Sequence, residues 1–227
     1  MTEAFQYSIG DFLLFSEDTY LELLRYYHLA IWPLQIVALA LAFYSLVTLF
    51  RGGLNAVRIV ATLFSAGWIW TGLVFLGSYY ADINWFVNFF VVLFGIQGVL
   101  LFWMLWWPFG ITKPVYLSTH ELCALARNKS RELSSNRNAC LVRSAGLMVI
   151  ASASLIFPLL LKVQRRSWDQ LEVVFITPDA TSFATIGLLL CLKNFLGNKT
   201  LCLLAVIPLL WSLFSLLTWW SIESAGY

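Results

Sequence analysis

Charged residues are scarce in this sequence. Only 11% of its 227 residues are Asp, Glu, Lys or Arg, whereas about a quarter is usual in soluble proteins, and 60% are hydrophobic. A soluble fold of this size cannot bury so much apolar surface. Uncharged runs of roughly twenty residues recur, which is the length that a helix needs to cross about 30 Å of hydrocarbon. The composition therefore indicates an integral membrane protein.

Cysteine and histidine, the usual zinc ligands, are also few. The four cysteines form no CxxC pair, so neither a zinc site nor a thioredoxin-like motif is indicated. His120, Glu121 and Cys123 lie close together, but such a grouping in one surface helix is more often accidental than a metal site. We therefore predict no metal site and no catalytic residue, and the sequence identifies no cofactor. A net charge of +2, dispersed along the chain, also argues against nucleic acid as a partner.

The hydrophobic runs predict an all-α membrane bundle that forms one transmembrane domain over residues 1–227. About six spans are expected, at approximately 30–50, 57–80, 84–107, 141–162, 176–196 and 201–220. The only long connection is 108–140, so no loop has room for a catalytic domain.

The distribution of basic residues predicts the orientation, because Lys and Arg are retained on the cytoplasmic side of a membrane. One side would hold ten of them: Arg51, Arg58, Lys113, Arg127, Lys129, Arg131, Arg137, Arg143, Lys193 and Lys199. We therefore expect 108–140 in the cytoplasm and both termini outside, although the basic cluster at 162–166 opposes this orientation. All four cysteines would lie on or near the cytoplasmic side, where reduced thiols are expected.

Two segments are predicted to lie at the membrane surface. Ser16 can cap an amphipathic N-terminal helix with acidic residues in its first turn, and this helix would run into the first span near Pro33. In the long inner loop, Ser118 and Glu121 match a capping box. They predict a short basic helix at about 119–133, whose simplest role is to anchor the chain to anionic lipids of the bilayer.

The start of the fifth predicted span contains an ionisable residue between apolar sequences. Thr177, Pro178 and Asp179 together match an ordinary helix start, with a cap, a first-position proline and a first-turn acid. Alternatively, the apolar stretch extends outward, so that the helix would start below the membrane surface; the residues that extend it are Leu171, Val173, Val174, Phe175 and Ile176. Such a break is tolerated only beside protein or a water-filled cavity, and would then form a site.

Two polar faces follow from helical spacing in this span. Thr177, Thr181 and Thr185 share one face, and Asp179 shares another with Ser182. Either face can hydrogen-bond to a neighbouring helix.

Amide side chains in the first and third predicted spans provide further polar groups. Asn84 and Asn88 share one helical face, while Gln97 points nearly opposite. The asparagines either cap or join helices, or they line a polar cavity to which Gln35 and Gln97 contribute. We expect Asp179 to point into the bundle, with Asn84 or Asn88 among its candidate hydrogen-bond partners.

Several motifs resemble an uncharacterised family of small bacterial polytopic membrane proteins. They are Asp11-Phe12-Leu13-Leu14-Phe15-Ser16, Trp32-Pro33, Ile83-Asn84-Trp85, Thr177-Pro178 with Thr181, Gly187-Leu188-Leu189 and Ile207-Pro208-Leu209-Leu210-Trp211-Ser212. Members of that family often read Thr-Pro-Cys-Pro-Thr at residues 177–181, and the missing cysteine argues against a thiol-based metal site here. The resemblance implies a bacterial inner membrane and a helical bundle, but no activity.

The favoured function is a small transporter or permease-like protein for a small solute or ion. The residues expected to line its binding site are Asp179, Thr181, Ser182, Asn84, Asn88 and Gln35. Two halves of three spans, in opposite orientations, would suit this function. The main alternative is an accessory subunit that packs against other membrane proteins or against itself. A membrane-embedded lipid-modifying enzyme comes third. Catalysis would require a nucleophile, a base or a metal triad, and the only candidate expected within the membrane is one acid.

Overall fold

The computed structural model describes residues 17–106, 133–156, 167, 170–193 and 195–224. Seven α-helices occur in these residues: α1 (Glu17–Ala30), α2 (Leu34–Arg51), α3 (Leu54–Trp70), α4 (Val87–Trp106), α5 (Leu133–Ala151), α6 (Pro178–Leu192) and α7 (Asn198–Ser224). π-Helical turns continue α3 over Thr71–Leu76 and α5 over Ser152–Ile156. The prediction of an all-α fold is confirmed for the part of the chain that the structure describes.

Four stretches are long and apolar enough to cross a membrane. They are Leu34–Arg51, Leu54–Asp82, Val87–Met104 and Asn198–Trp220, close to four of the predicted spans. The prediction of about six spans is not confirmed, because the other two apolar helices, Cys140–Leu155 and Pro178–Leu192, are shorter. The 15 residues of α6 extend about 22 Å, less than the roughly 30 Å of a hydrocarbon core. The helix is shorter than the predicted span 176–196 at both ends, since it begins at Pro178 and ends at Leu192.

The outer surface of the bundle is apolar. Large hydrophobic side chains on α2, α4 and α7 are exposed, for example those of Phe43, Phe89 and Leu216. Contiguous apolar surface of this kind suits hydrocarbon rather than water. These helices therefore have the surface expected of a membrane protein.

Helix α6 lies at the centre of the bundle and packs against α5 and α7. Most of its residues are buried, which is unusual for a helix that carries an acid near its start. Two glycines allow its close crossing with α5: a Cβ on Gly187 would lie 2.8 Å from the carbonyl oxygen of Gly146. Small residues at such a crossing let two helix backbones approach closely.

A buried glutamine compensates for a proline in α7. Pro208 has no N–H, so the carbonyl of Leu204, four residues earlier, lacks its helical donor. The Nε2 of Gln97 on α4 donates to that carbonyl oxygen at 2.9 Å. This hydrogen bond joins α4 to α7 at the helix interruption.

The N-terminal helix is amphipathic, as predicted. Tyr20, Leu24, Tyr27 and His28 are buried on one face, whereas the opposite face is exposed. It leads into α2 through Trp32-Pro33, which has a cis peptide bond. The predicted cap Ser16 and nearly all of the predicted surface helix 119–133 lie outside the described residues.

The cysteines differ from one another in their chemical state. Cys191 is buried and Cys202 exposed, both as free thiols. Cys140 is disulfide-bonded, so the prediction of reduced thiols is wrong at this position. The sequence predicted reduced thiols only through the assumed cytoplasmic location, and a disulfide indicates an oxidising environment instead.

Candidate functional site

The seven residues before α6 form a buried segment that is not helical. Residues 171–177 are all buried, and Thr177 is extended, with φ −121° and ψ 150°. Helix α6 begins at Pro178, as the sequence predicted, but its start lies inside the protein. The Thr177 hydroxyl makes no capping hydrogen bond, so this is not a simple surface helix start. The helix start has the cap position, first-position proline and first-turn acid of the first interpretation, but it lies beside protein, as the second interpretation requires.

Threonine side chains accept hydrogen bonds from two backbone N–H groups of the break, those of Val173 and Phe175. The Thr177 hydroxyl donates to the carbonyl of Val173 and accepts from its N–H, both at 3.0 Å. The Oγ1 of Thr181 accepts from the N–H of Phe175 at 2.8 Å. A buried backbone group without a partner is costly, so these hydroxyls stabilise the segment in place of helical hydrogen bonds.

Neighbouring elements hold the same segment from outside. Thr71, in the π-helical turn after α3, donates to the carbonyl of Phe175 at 3.2 Å. The phenol of Tyr27 on α1 donates to the carbonyl of Ile176 at 3.0 Å and accepts from the indole of Trp70. Burial raises the pKa of Tyr27, so its hydroxyl stays protonated and able to donate at physiological pH.

Phe175 adopts a backbone conformation that is rare for a bulky residue. Its φ is 77°, in the left-handed region. A Cβ on Gly67 of α3 would lie 2.6 Å from the Phe175 ring and 3.0 Å from its Cα, so only glycine at position 67 admits this backbone. Strained non-glycine residues of this kind concentrate at functional sites, where the surrounding structure maintains them.

Thr185 extends the threonine face of α6 towards α3. Its hydroxyl donates to the carbonyl of Thr181 at 2.7 Å and accepts from the indole of Trp68 at 2.8 Å. The predicted threonine face therefore does bond to neighbours, and its role in the structure is to hold the break and α3 in place.

Asp179 points into the bundle, as predicted, and is 9% exposed. Its Oδ1 accepts a hydrogen bond from the indole of Trp211 at 2.6 Å, and its Oδ2 accepts one from the hydroxyl of Ser215 at 2.9 Å. Both donors belong to α7 and are neutral. The acid thus joins the first turn of the central helix to the last long helix.

The predicted partners of Asp179 on the third span are wrong. Asn84 accepts from the N–H of Phe86, and Asn88 donates to the carbonyl of Trp85, so both side chains bond within the start of α4. This is the capping role that the sequence left open. Gln35 donates to the carbonyl of His28 and joins α1 to α2. The described hydrogen bonds bring none of these three amides to Asp179.

A second buried acid escaped the sequence interpretation. Glu172 is 1% exposed, and the phenol of Tyr20 on α1 donates to its Oε1 at 3.4 Å. Tyr80, which follows the π-helical turn of α3, lies within electrostatic reach of both Glu172 and Asp179. Glu172 interrupts an apolar run, and this position could have indicated a buried acid. Only Asp179, the acid inside the predicted helix, was predicted to point into the bundle.

Four distant parts of the chain meet around these acids. The ring of Tyr20 lies 5.8 Å from that of Tyr80 and 6.4 Å from that of Trp219 on α7. We call this cluster the acidic site, and its members are Tyr20, Tyr80, Glu172, Asp179, Trp211, Ser215 and Trp219. Its acids, its tyrosines and Trp211 are buried, whereas Ser215 and Trp219 are half-buried.

Ser182 lies next to the acidic site. It is fully buried, and its hydroxyl has no hydrogen-bond partner among the described residues. It lies three positions after Asp179, so the two side chains share a face of α6. No group of three or more potential metal ligands of the His, Cys, Asp and Glu type occurs in the described part of the chain.

Comparison with known families identifies the chain at the level of a family. The model of a family of unknown function, DUF6064, matches residues 17–223, and the chain belongs to this family. The resemblance to an uncharacterised family is thereby confirmed. No curated protein and no solved structure matches the chain. Function must therefore be argued from the site.

Proposed function

We propose, from the site alone because the family supplies no activity, that this protein is a small transporter. It would move a cation, or a solute coupled to one, across a bacterial inner membrane through the acidic site. The single observation that carries the proposal is the buried break at 171–177. It directly precedes the short central helix α6 and brings Glu172 and Asp179 into the interior.

Two physical arguments support this function. Irregular backbone at membrane depth is tolerated where it is buried in protein or lines a cavity, and transporters use such broken helices for their binding sites. An acid inside a membrane protein is also expensive, roughly 3 kcal/mol at a helix centre on insertion scales, and typically marks an ion or proton pathway. Here two acids accompany one break.

The helices around the site offer a means of opening it. Pro208 interrupts the backbone hydrogen bonds of α7 one turn before Trp211, so the helix bends more easily near the residues that hold Asp179. On the other side, α1 covers the break through Tyr20 and Tyr27. We propose that movement of α7 relative to α6 exposes the acid.

We propose the orientation that the basic residues favour, with 108–140 in the cytoplasm and both termini outside. The Lys and Arg bias supports it. The disulfide at Cys140 opposes it, because disulfides persist in oxidising compartments. The distribution of Lys and Arg outweighs the disulfide, because it rests on ten residues.

Charge movement tests the function directly. Proteoliposomes containing the full chain are adsorbed on a solid-supported membrane and exchanged from choline to Na⁺ or K⁺, or to lower pH. We expect a transient current in the wild type and its loss in Asp179→Asn. Ser212→Ala is the matched control, because that hydroxyl bonds only to the carbonyl of Pro208 in its own helix. Absence of current with every cation, together with no internal pH change by a trapped dye, would overturn the proposal.

The accessory-subunit alternative also has one observation in its favour. The hydroxyls of Thr177, Thr181 and Thr185 are all engaged within the chain, as in a purely structural network. If this alternative holds, neither the wild type nor Asp179→Asn gives a charge-movement signal, and the substitution affects only stability or assembly with partner membrane proteins.

A further inference from the structure

Arg58, in the second turn of α3, carries a charge that no described carboxylate balances. Its side chain is half-buried, and its Nε has no hydrogen-bond partner among the described residues. Buried polar groups without a partner are rare, and they mark strain, a function, or an unseen water or ion. No Asp or Glu occurs in the described residues of this end of the bundle, which are 45–62, 97–106, 133–145, 190–193 and 195–202.

An aromatic platform on α4 holds the Arg58 side chain. Its guanidinium carbon lies 5.5 Å from the centre of the Trp106 ring. The hydroxyl of Thr62 donates to the carbonyl of Arg58 and accepts from the indole of Trp106, both at 2.9 Å. A cation–π contact uses the charge of a guanidinium but none of its N–H donors, so these stay available to another group. Arg58 is therefore positioned for a ligand rather than satisfied by the protein.

The surroundings of Arg58 combine a second cation with exposed apolar rings. Arg51, the last residue of α2, is exposed and lies three residues before α3 begins. Phe50 is 54% exposed and Trp106 is 45% exposed. The apolar stretches Leu34–Arg51 and Leu54–Asp82 meet at this turn, and Val87–Met104 ends beside it. The two arginines thus lie where membrane spans end, which is the depth of lipid head groups.

We propose that Arg58 and Arg51 bind the phosphate of an anionic phospholipid whose acyl chains lie against Phe50 and Trp106. Arginine suits phosphate because its planar guanidinium can donate two parallel hydrogen bonds. Basic pockets between helices at the membrane surface recognise anionic head groups in this way. A choline lipid carries the same phosphate but brings a quaternary ammonium beside two arginines, and like charges repel. The site should therefore select a lipid such as phosphatidylglycerol, and this inference does not depend on transport.

Lipid titration tests the selectivity. The purified full-length protein in detergent is titrated with phosphatidylglycerol and, in parallel, with phosphatidylcholine at constant ionic strength. We expect a saturable rise in the unfolding temperature with phosphatidylglycerol, and retention of that lipid in native mass spectrometry. Equal rises with both lipids would overturn the proposal. Inorganic phosphate alone should have no effect, and a rise equal to that with phosphatidylglycerol would show a site for free anions instead of lipid.

The variants separate a lipid ligand from a packing residue. Arg58→Gln should raise the apparent Kd for phosphatidylglycerol about tenfold or more, and Arg58→Lys about threefold or more, because lysine keeps the charge but lacks the planar fork. Lys193→Gln is the matched control, since it removes an exposed charge from the same end of the bundle. It should change the Kd by less than about threefold.

Two results for these variants would refute the site. If Arg58 only packs against Trp106, Arg58→Gln lowers the unfolding temperature equally in both lipids and leaves the Kd unchanged. If Lys193→Gln weakens binding as much as Arg58→Gln does, the lipid is attracted by the general charge of this end and not by the arginine on the aromatic platform.

Discussion

The indole of Trp211 donates a 2.6 Å hydrogen bond to the carboxylate of Asp179, across the interface between the longest helix and the central one. Hydrogen bonds to charged groups are worth about 1.5–3 kcal/mol each, and Ser215 adds a second to the same carboxylate. This contact orients the acid at the buried start of α6. The acid and the helix interface therefore depend on each other.

Removing the indole N–H should destabilise the protein without removing its ring. We expect Trp211→Phe to lower the free energy of unfolding by about 2 kcal/mol, because it deletes one hydrogen bond to a charged group. The measurement is thermal or denaturant unfolding in detergent. Trp85→Phe is the control, since Trp85 is 73% exposed and should change stability by less than about 0.5 kcal/mol. Equal effects of both substitutions would contradict the assigned role.

Two substitutions of Thr181 should differ in their effect on stability, because only one of them keeps the hydroxyl that accepts from the break. Thr181→Val leaves the buried N–H of Phe175 without its acceptor and should cost about 1–3 kcal/mol of stability. Thr181→Ser keeps the acceptor and should cost about 1 kcal/mol, for the lost methyl group. Limited proteolysis and unfolding experiments measure the difference. A valine variant as stable as the serine variant would show that the hydroxyl does not hold the break.

Alanine should have opposite effects on stability at Gly187, which lies at the crossing of α5 and α6, and at Gly95 of α4, which has open space around it. Gly187→Ala places a Cβ 2.8 Å from the Gly146 carbonyl oxygen, so it must separate the two helices. Gly95→Ala meets no atom within 4 Å and should be neutral, or stabilising by up to about 1 kcal/mol, because alanine is the better helix former. Unfolding temperatures of the two variants test this. Equal stabilities would place the close crossing elsewhere.

The pairing of Gln97 with the interruption of α7 is testable by a double-mutant cycle. Gln97→Leu leaves the Leu204 carbonyl without a donor and should destabilise the protein by about 1–3 kcal/mol. Pro208→Ala restores the helical N–H, so the double variant should recover most of that loss. Strictly additive effects would mean that the glutamine does not compensate for the proline.

Labelling of single introduced cysteines tests the orientation. Asp82 and Asn198 are both exposed and lie in connections that the topology assigns to opposite sides. In intact cells, an impermeant maleimide should modify Asp82→Cys readily and Asn198→Cys only after permeabilisation. The reverse result would invert the orientation and would agree with the disulfide at Cys140.

Patterns within single segments could be predicted from the sequence. The amphipathic face of α1, the start of α6 at Pro178 and the inward position of Asp179 follow from spacing and from the cost of exposing an acid to lipid. The partners of Asp179 could not be predicted, because helical periodicity shows which face is polar but not which helix lies beside it. The sequence indicated only a packing role for Trp211. Glu172 could have been recognised, because it is an acid within an apolar run.

The central claim is that Asp179 acts on a transported ion rather than only supporting a helix start. The most direct measurement compares cation-driven charge movement in proteoliposomes of the wild type, Asp179→Asn and Asp179→Leu, each shown to be folded by its unfolding transition. We predict that Asn and Leu both abolish the signal, while Asn remains close to the wild type in stability because its oxygen still accepts from the indole of Trp211 and its NH₂ group can donate to the hydroxyl of Ser215. A folded Asn variant with the full wild-type signal would contradict the claim.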